Sequence, residues 1–102
     1  MGLDISLVKV EYLLDMNITH NLVPMWKEAG IYAALYNSDG LDARDVFPEL
    51  VDGLTDMILY PDKYKALNSP NGWGTYENAV RWLAELVKGF EEHSSSRIMI
   101  SK

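Results

Sequence analysis

Cysteine is absent from the 102-residue chain. That removes disulfides, thiolate metal sites and cysteine nucleophiles together, and leaves no redox mark of secretion. Histidine is nearly as scarce. His20 and His93 are the only two, and they form no metal-binding spacing such as H-E-x-x-H. There is no G-x-S-x-G nucleophile elbow, and Ser94-Ser95-Ser96 reads as linker. No apolar run approaches the roughly 20 residues of a membrane-spanning helix. Basic side chains are outnumbered nine to fifteen, for a net charge of −6. A general nucleic-acid binder needs a basic stripe, because its affinity comes from releasing phosphate counterions. No such stripe exists, so general nucleic-acid binding is not expected. The opening Met1-Gly2-Leu3-Asp4 lacks a basic region followed by an apolar stretch, so no secretory leader is expected. Gly2 with Ser6 matches a myristoylation pattern only at the level of chance. A cytoplasmic location follows, and no cofactor is implied.

What remains is ordinary for a globular protein: 48% hydrophobic and 24% charged residues. The length suits a single domain, residues 1–102, with one core. Leu3, Ile5 and Leu7 alternate with Asp4 and Ser6, and Val8, Val10 and Tyr12 with Lys9 and Glu11. Period two argues strand over 3–12, with a phase slip at Leu7-Val8 that a bulge would absorb. Residues 15–21 are rich in capping types. Leu22, Met25, Trp26 and Ala29 then follow at helical spacing, with Pro24 in the first turn and Gly30 at the exit. Ile31–Tyr36 reads as a short buried helical turn. A second helix runs from Asp42 or Asp45 to about Tyr60, burying Val46, Phe47, Leu50, Val51, Leu54, Met57 and Ile58. Gly53 inside it suggests close packing on another element. Pro61–Leu67 suits one more short helix, and Asn68–Gly74 a loop. Thr75 caps a third long helix over 76–92, and Arg97–Ser101 reads as a strand. The expected fold is α+β in the order β-α-α-α-β, with three main helices on a small sheet made by the N- and C-terminal strands.

Three groups of residues carry candidate chemistry. Asp42, Asp45, Glu49, Asp52 and Asp56 are spaced 3, 4, 3, 4, which places them on one helix face. Such a ridge could dock on a basic protein or imitate a row of phosphates; the plain alternative is a solvated face. Gly72-Trp73-Gly74-Thr75-Tyr76 leads into a helix start, where backbone N–H groups favour an anion and Trp73 could stack on a planar ring. The alternative there is a tryptophan folded into the core. Thr19-His20-Asn21 marks another helix start, where His20 could bind a ligand, act as a base or simply orient backbone. His93 near a helix end needs no more than a capping role. Abundant carboxylates on a solvent-facing helix are a poor acid–base pair, so an enzyme is the least supported class.

Thr19-His-Asn-Leu22, Ala29-Gly-Ile-Tyr32 and Asn71-Gly-Trp-Gly-Thr-Tyr-Glu77 together resemble a family of small uncharacterised bacteriophage-encoded proteins. The opening Asp4-Ile-Ser-Leu7 and the closing strand resemble it too. The chain departs from the pattern at Val23-Pro24, and its acidic ridge is richer. The resemblance implies no activity. It implies a context, the cytoplasm of an infected host cell, where such proteins often bind host components, including those of antiviral defence.

Three functions compete on these residues. The first is a non-enzymatic binder that sequesters a nucleotide-like ligand in a cleft of Thr19, His20, Asn21, Trp73, Gly74, Thr75 and Tyr76, with Arg81 pairing a phosphate. The second is a protein-binding inhibitor or decoy, with a host defence protein as partner, acting through Asp42, Asp45, Glu49, Asp52 and Asp56. The third is a small hydrolase or nucleotide-modifying enzyme with His20 as base. No metal ligands are assigned. A long first strand paired only with a short last one would leave open edges, which predicts a homodimer through the 3–12 strand.

Overall fold

The computed structural model describes residues 2–9 and 11–102. β1 (Gly2–Val8) turns its alternate residues Leu3, Ile5 and Leu7 into the core, while Asp4 faces solvent. It is the middle strand of an antiparallel sheet, with β2 (Tyr12–Thr19) on one side and β3 (Arg97–Ser101) on the other. The register sets Leu3 opposite Ile18, Ile5 opposite Met16 and Leu7 opposite Leu14 on β2. On β3, Ile100 faces Ile5 and Ile98 faces Leu7. These eight side chains form the apolar inner face. The outer face carries Asp4, Ser6, Asp15 and Asn17, with Ser6 Oγ donating to Asp15 across the strands at 3.0 Å.

The α+β class and the β-α-α-α-β order are those expected from the sequence. The sheet, however, has a third strand. Residues 12–19, read above as a strand ending at Tyr12 and a capping segment starting at Asp15, form the return strand of a hairpin. Leu14, Met16 and Ile18 alternate with Asp15, Asn17 and Thr19, so the period is two. The polar members happen to be helix-capping types, which disguises it. The phase slip at Leu7-Val8 is real: Leu7 pairs with Leu14 but Val8 with Tyr12, so the register shifts there and Leu13 is the extra residue. Val10, part of the expected alternation, lies outside the described residues.

The hairpin overturns the proposed dimer edge. β1 is flanked on both sides within one chain, so no part of Leu3–Leu7 is free to pair with a copy. The outer edge of β3 is closed as well. Gly40 N donates to Ile98 O at 2.8 Å, Ile98 N to Leu41 O at 2.7 Å, and Ile100 N to Asp39 Oδ1 at 2.8 Å.

After β2 a three-residue 3-10 turn, His20–Leu22, leads into α1 (Val23–Glu28), with Pro24 in its first turn. Gly30 takes the left-handed conformation, φ 76°, and lets the chain reverse into α2 (Tyr32–Tyr36). α3 spans Ala43–Leu59 and α4 Pro61–Lys65. Thr75 Oγ1 accepts from Asn78 N to cap α5, Tyr76–Glu92. α3 and α5 pack on each other, and Leu14 of β2 lies against Gly89 of α5. Leu3, Ile5, Leu7, Trp26, Leu35, Leu50, Leu83 and Phe90 belong to one continuous core. Gly53 meets Ile31, as its position inside the helix suggested: a Cβ there would lie 2.3 Å from Ile31 Cγ2. Ile58 is not a core residue; one position past the buried Met57, it turns out to solvent.

Candidate functional site

The two segments expected to form a ligand cleft do meet. Gly74 is buried, and a Cβ there would lie 3.1 Å from Asn21 Cβ and 3.3 Å from Leu22 Cδ2. They meet as packed chain rather than as walls of a cleft. The surrounding polar groups are engaged internally. Thr19 Oγ1 accepts from Asn21 N at 3.2 Å, and Thr75 Oγ1 from Asn78 N at 3.3 Å. Tyr76 points away toward α3 and donates its hydroxyl to Met57 O at 2.6 Å. His20 shares a hydrogen bond with the Tyr36 hydroxyl through Nδ1 at 2.8 Å, with the two rings tilted against each other. That bond anchors the 3-10 turn to α2 and gives His20 an orienting role. Of the two expected helix starts, only that of α5 heads a long helix.

Three members of this group, Asn21, Trp73 and Arg81, remain available to solvent. Trp73 is 70% exposed, so the reading as a core plug is excluded. Its loop is held by Asn71 Oδ1, which accepts from Trp73 N and from Ser69 Oγ. Arg81 is exposed on α5 and borders a shallow hollow of about 220 Å³ with Ile18, Asn78, Trp82 and Glu85. Nucleotide-sized ligands occupy sites of roughly 300–1,000 Å³.

The acidic ridge is more complete. At 100° per residue, Asp45, Glu49, Asp52 and Asp56 share one stripe of α3, and Asp45, Glu49 and Asp52 are exposed. Among the described residues no lysine or arginine pairs with those three. Asp45 also accepts from Asp42 N at 2.9 Å, holding the start of the helix. Arg44 pairs with Asp42 at 3.3 Å, off the stripe.

Asp56 is the exception to the expected unpaired ladder. Pro61 ends α3 and turns the chain, so α4 brings Lys63 Nζ to 2.8 Å from Asp56 Oδ2, and the buried Tyr64 donates its hydroxyl to the same oxygen. These two donors, Lys63 first, hold the Asp56 carboxyl below the usual carboxylate range. Burial and the bond to Asp56 push the Tyr64 hydroxyl well up, and the same carboxylate raises Lys63. Pro61 ends the helix between Asp56 and Lys63, so helical spacing does not predict their contact, which is why the sequence conceals the cluster.

The ridge also has a rung the charge pattern missed. The next step of three after Asp56 is Leu59, 63% exposed, followed by Tyr60. Together with Pro61, Asp62 and Lys63 they line a hollow of about 370 Å³. A row of carboxylates thus ends at an apolar lip. Elsewhere, Val8, Lys9, Asp42, Ser95, Arg97 and Met99 line a mixed-polarity hollow of about 410 Å³. Among the described residues no three metal-ligating side chains cluster, and no helix is long and apolar enough to cross a membrane. No protein-family model, curated protein or solved structure matches the chain, and the functional reading rests on this geometry.

Proposed function

We propose that the chain is a small non-enzymatic binding protein that docks through α3 onto a basic partner protein. The observation that carries this is the continuity of one helix stripe: Asp45, Glu49 and Asp52, exposed and without basic partners among the described residues, run into exposed Leu59 and Tyr60. Charge steers the encounter, and the apolar lip supplies desolvated area that charge alone does not. In the context implied by the resemblance to small phage proteins, the partner is a host component, an antiviral defence protein among the candidates, and the site of action is the host cytoplasm.

Affinity capture from host lysate tests this with two variants. Capture of one partner should fail for Glu49→Gln/Asp52→Asn/Leu59→Ser and weaken steeply with added salt. The same capture should survive Trp73→Ala. Loss on Trp73→Ala with the ridge variant unaffected would sink the ridge. It would favour the second reading, a small planar ligand stacked on Trp73 with Arg81 as its anion partner. What supports that reading is the exposure of the Trp73 indole on a loop braced by Asn71.

A further inference from the structure

One sheet edge is shut and the other is open, and backbone geometry identifies which groups the open edge presents. Ile98 donates to Leu41 and accepts from Gly40, and Ile100 donates to Asp39, so both turn their N–H and C=O groups away from β1. In an antiparallel sheet a residue's N–H and C=O point the same way, and directly opposed residues either both face each other or both face away. Leu7 and Ile5, opposite Ile98 and Ile100, therefore turn theirs toward β2 and bond Leu14 and Met16. Asp15 and Asn17 must then direct their two N–H and two C=O groups outward. None of these four groups has a backbone partner among the described residues. Natural edges are guarded by charge, proline, bulges or a covering element. β2 has no proline or lysine; its bulge lies at Leu13, before the Asp15–Asn17 segment, and its one charge is Asp15.

We propose that β2 is a homodimerisation edge, pairing antiparallel with β2 of a second copy about a two-fold axis at Met16. A register centred on Asp15 would oppose two carboxylates. Centred on Met16, it sets Asp15 against Asn17 of the partner subunit, and all four outward groups form inter-chain bonds. On the inner face Met16 meets Met16 of the partner subunit. Ile18 meets Leu14 of the partner subunit, beside the shallow hollow that Ile18 shares with Trp82 and Arg81. The apolar inner face continues unbroken into a six-stranded sheet. This interface rests on backbone accounting and is independent of the acidic ridge.

Because the chain has no cysteine, Met16→Cys introduces a single thiol per subunit. In this register the two Cα atoms of residue 16 stand about 4.5 Å apart, at the short end of disulfide range. Diamide should convert Met16→Cys rapidly to a covalent dimer and leave Tyr12→Cys, exposed but far from the axis, without a covalent link on a denaturing gel. Sedimentation from low to high micromolar concentration should give twice 11.6 kDa for the native chain. Asn17→Pro removes an N–H that the chain itself does not use. It should sediment at 11.6 kDa with an unchanged circular-dichroism spectrum. A native monomer throughout that range, a dimeric Asn17→Pro, or equal cross-linking of Tyr12→Cys and Met16→Cys would each overturn the interface.

Discussion

Asp56 looks in sequence like one more rung of an acidic ladder, yet two side chains of the following helix hold it in place. It accepts from a lysine and from a buried tyrosine hydroxyl on the following helix. Tyr64→Phe removes one donor, and the carboxylate keeps Lys63 and solvent, so the expected loss is about 0.5–1.5 kcal/mol in urea unfolding. The pH dependence has a definite sign. Asp56 titrates lower in the folded chain than in the unfolded one. Its stabilisation is therefore full above the ordinary carboxyl range, near pH 4, and is lost as pH falls through the depressed folded value. Asp56→Asn should be less stable at neutral pH and show a flatter acid limb. Tyr36 acts at the other end of the scale. Burial first, then the neighbouring Tyr32, pushes its hydroxyl up to about 12. Stability from that shift is intact below about pH 10, the ordinary phenol value, and declines as pH rises toward 12. Tyr36→Phe should soften the alkaline limb without flattening it, because Tyr64 is raised as well.

Among the elements, the two helical glycines respond differently to the same substitution. Alanine in place of glycine gains up to about 1 kcal/mol of helix propensity. At Gly53 the new methyl would sit 2.3 Å from Ile31 Cγ2 and 3.4 Å from Ala29 O, on a buried and branched neighbour. Overpacking of that kind costs about 1–3 kcal/mol, so Gly53→Ala should lower the melting temperature. At Gly89 the nearest atoms, 2.9 and 3.2 Å away, are the terminal methyls of the half-buried Leu14. Leu14 can rotate aside, so Gly89→Ala should be near neutral in the same measurement. The close approach at Gly53 was legible in the sequence because a glycine interrupts a strong apolar stripe. So were the helix starting at Tyr76, the strand Arg97–Ser101 and the turn at Gly30, each marked by a local cap or period. The β2 strand was not, since Asp15, Asn17 and Thr19 satisfy helix-capping and strand patterns equally well. Its partner, β1, has to be known before the choice is forced. The candidate cleft was half legible. Asn21 and Gly74 do meet, but tertiary bonds from Tyr36 and Met57 decide where His20 and Tyr76 point, and local spacing carries no trace of those bonds.

Across the whole molecule, the charge of −6 is unevenly spread, with four units of net negative charge within residues 41–60. One is offset by Lys63 from outside that stretch; among the described residues no basic side chain offsets Asp45, Glu49 or Asp52. Each like-charge neighbour at helical spacing costs about 0.2–0.5 kcal/mol, and salt screens it. The ridge therefore lowers the stability of the free protein, while its exposed carboxylates remain available to a partner. Neutralising Glu49 and Asp52 should raise the melting temperature slightly or leave it unchanged; Asp45 should be kept, because it caps the Asp42 N–H. Moderate salt should stabilise the native chain by a comparable amount and the Glu49→Gln/Asp52→Asn variant by less. A basic partner would act in the same direction as salt but on one face only. It should raise the melting temperature of the native chain beyond what salt achieves, and leave that of the neutralised variant unmoved. If the variant is destabilised instead, Glu49 or Asp52 has an attractive partner in the folded chain, and the stripe belongs to the fold rather than to recognition.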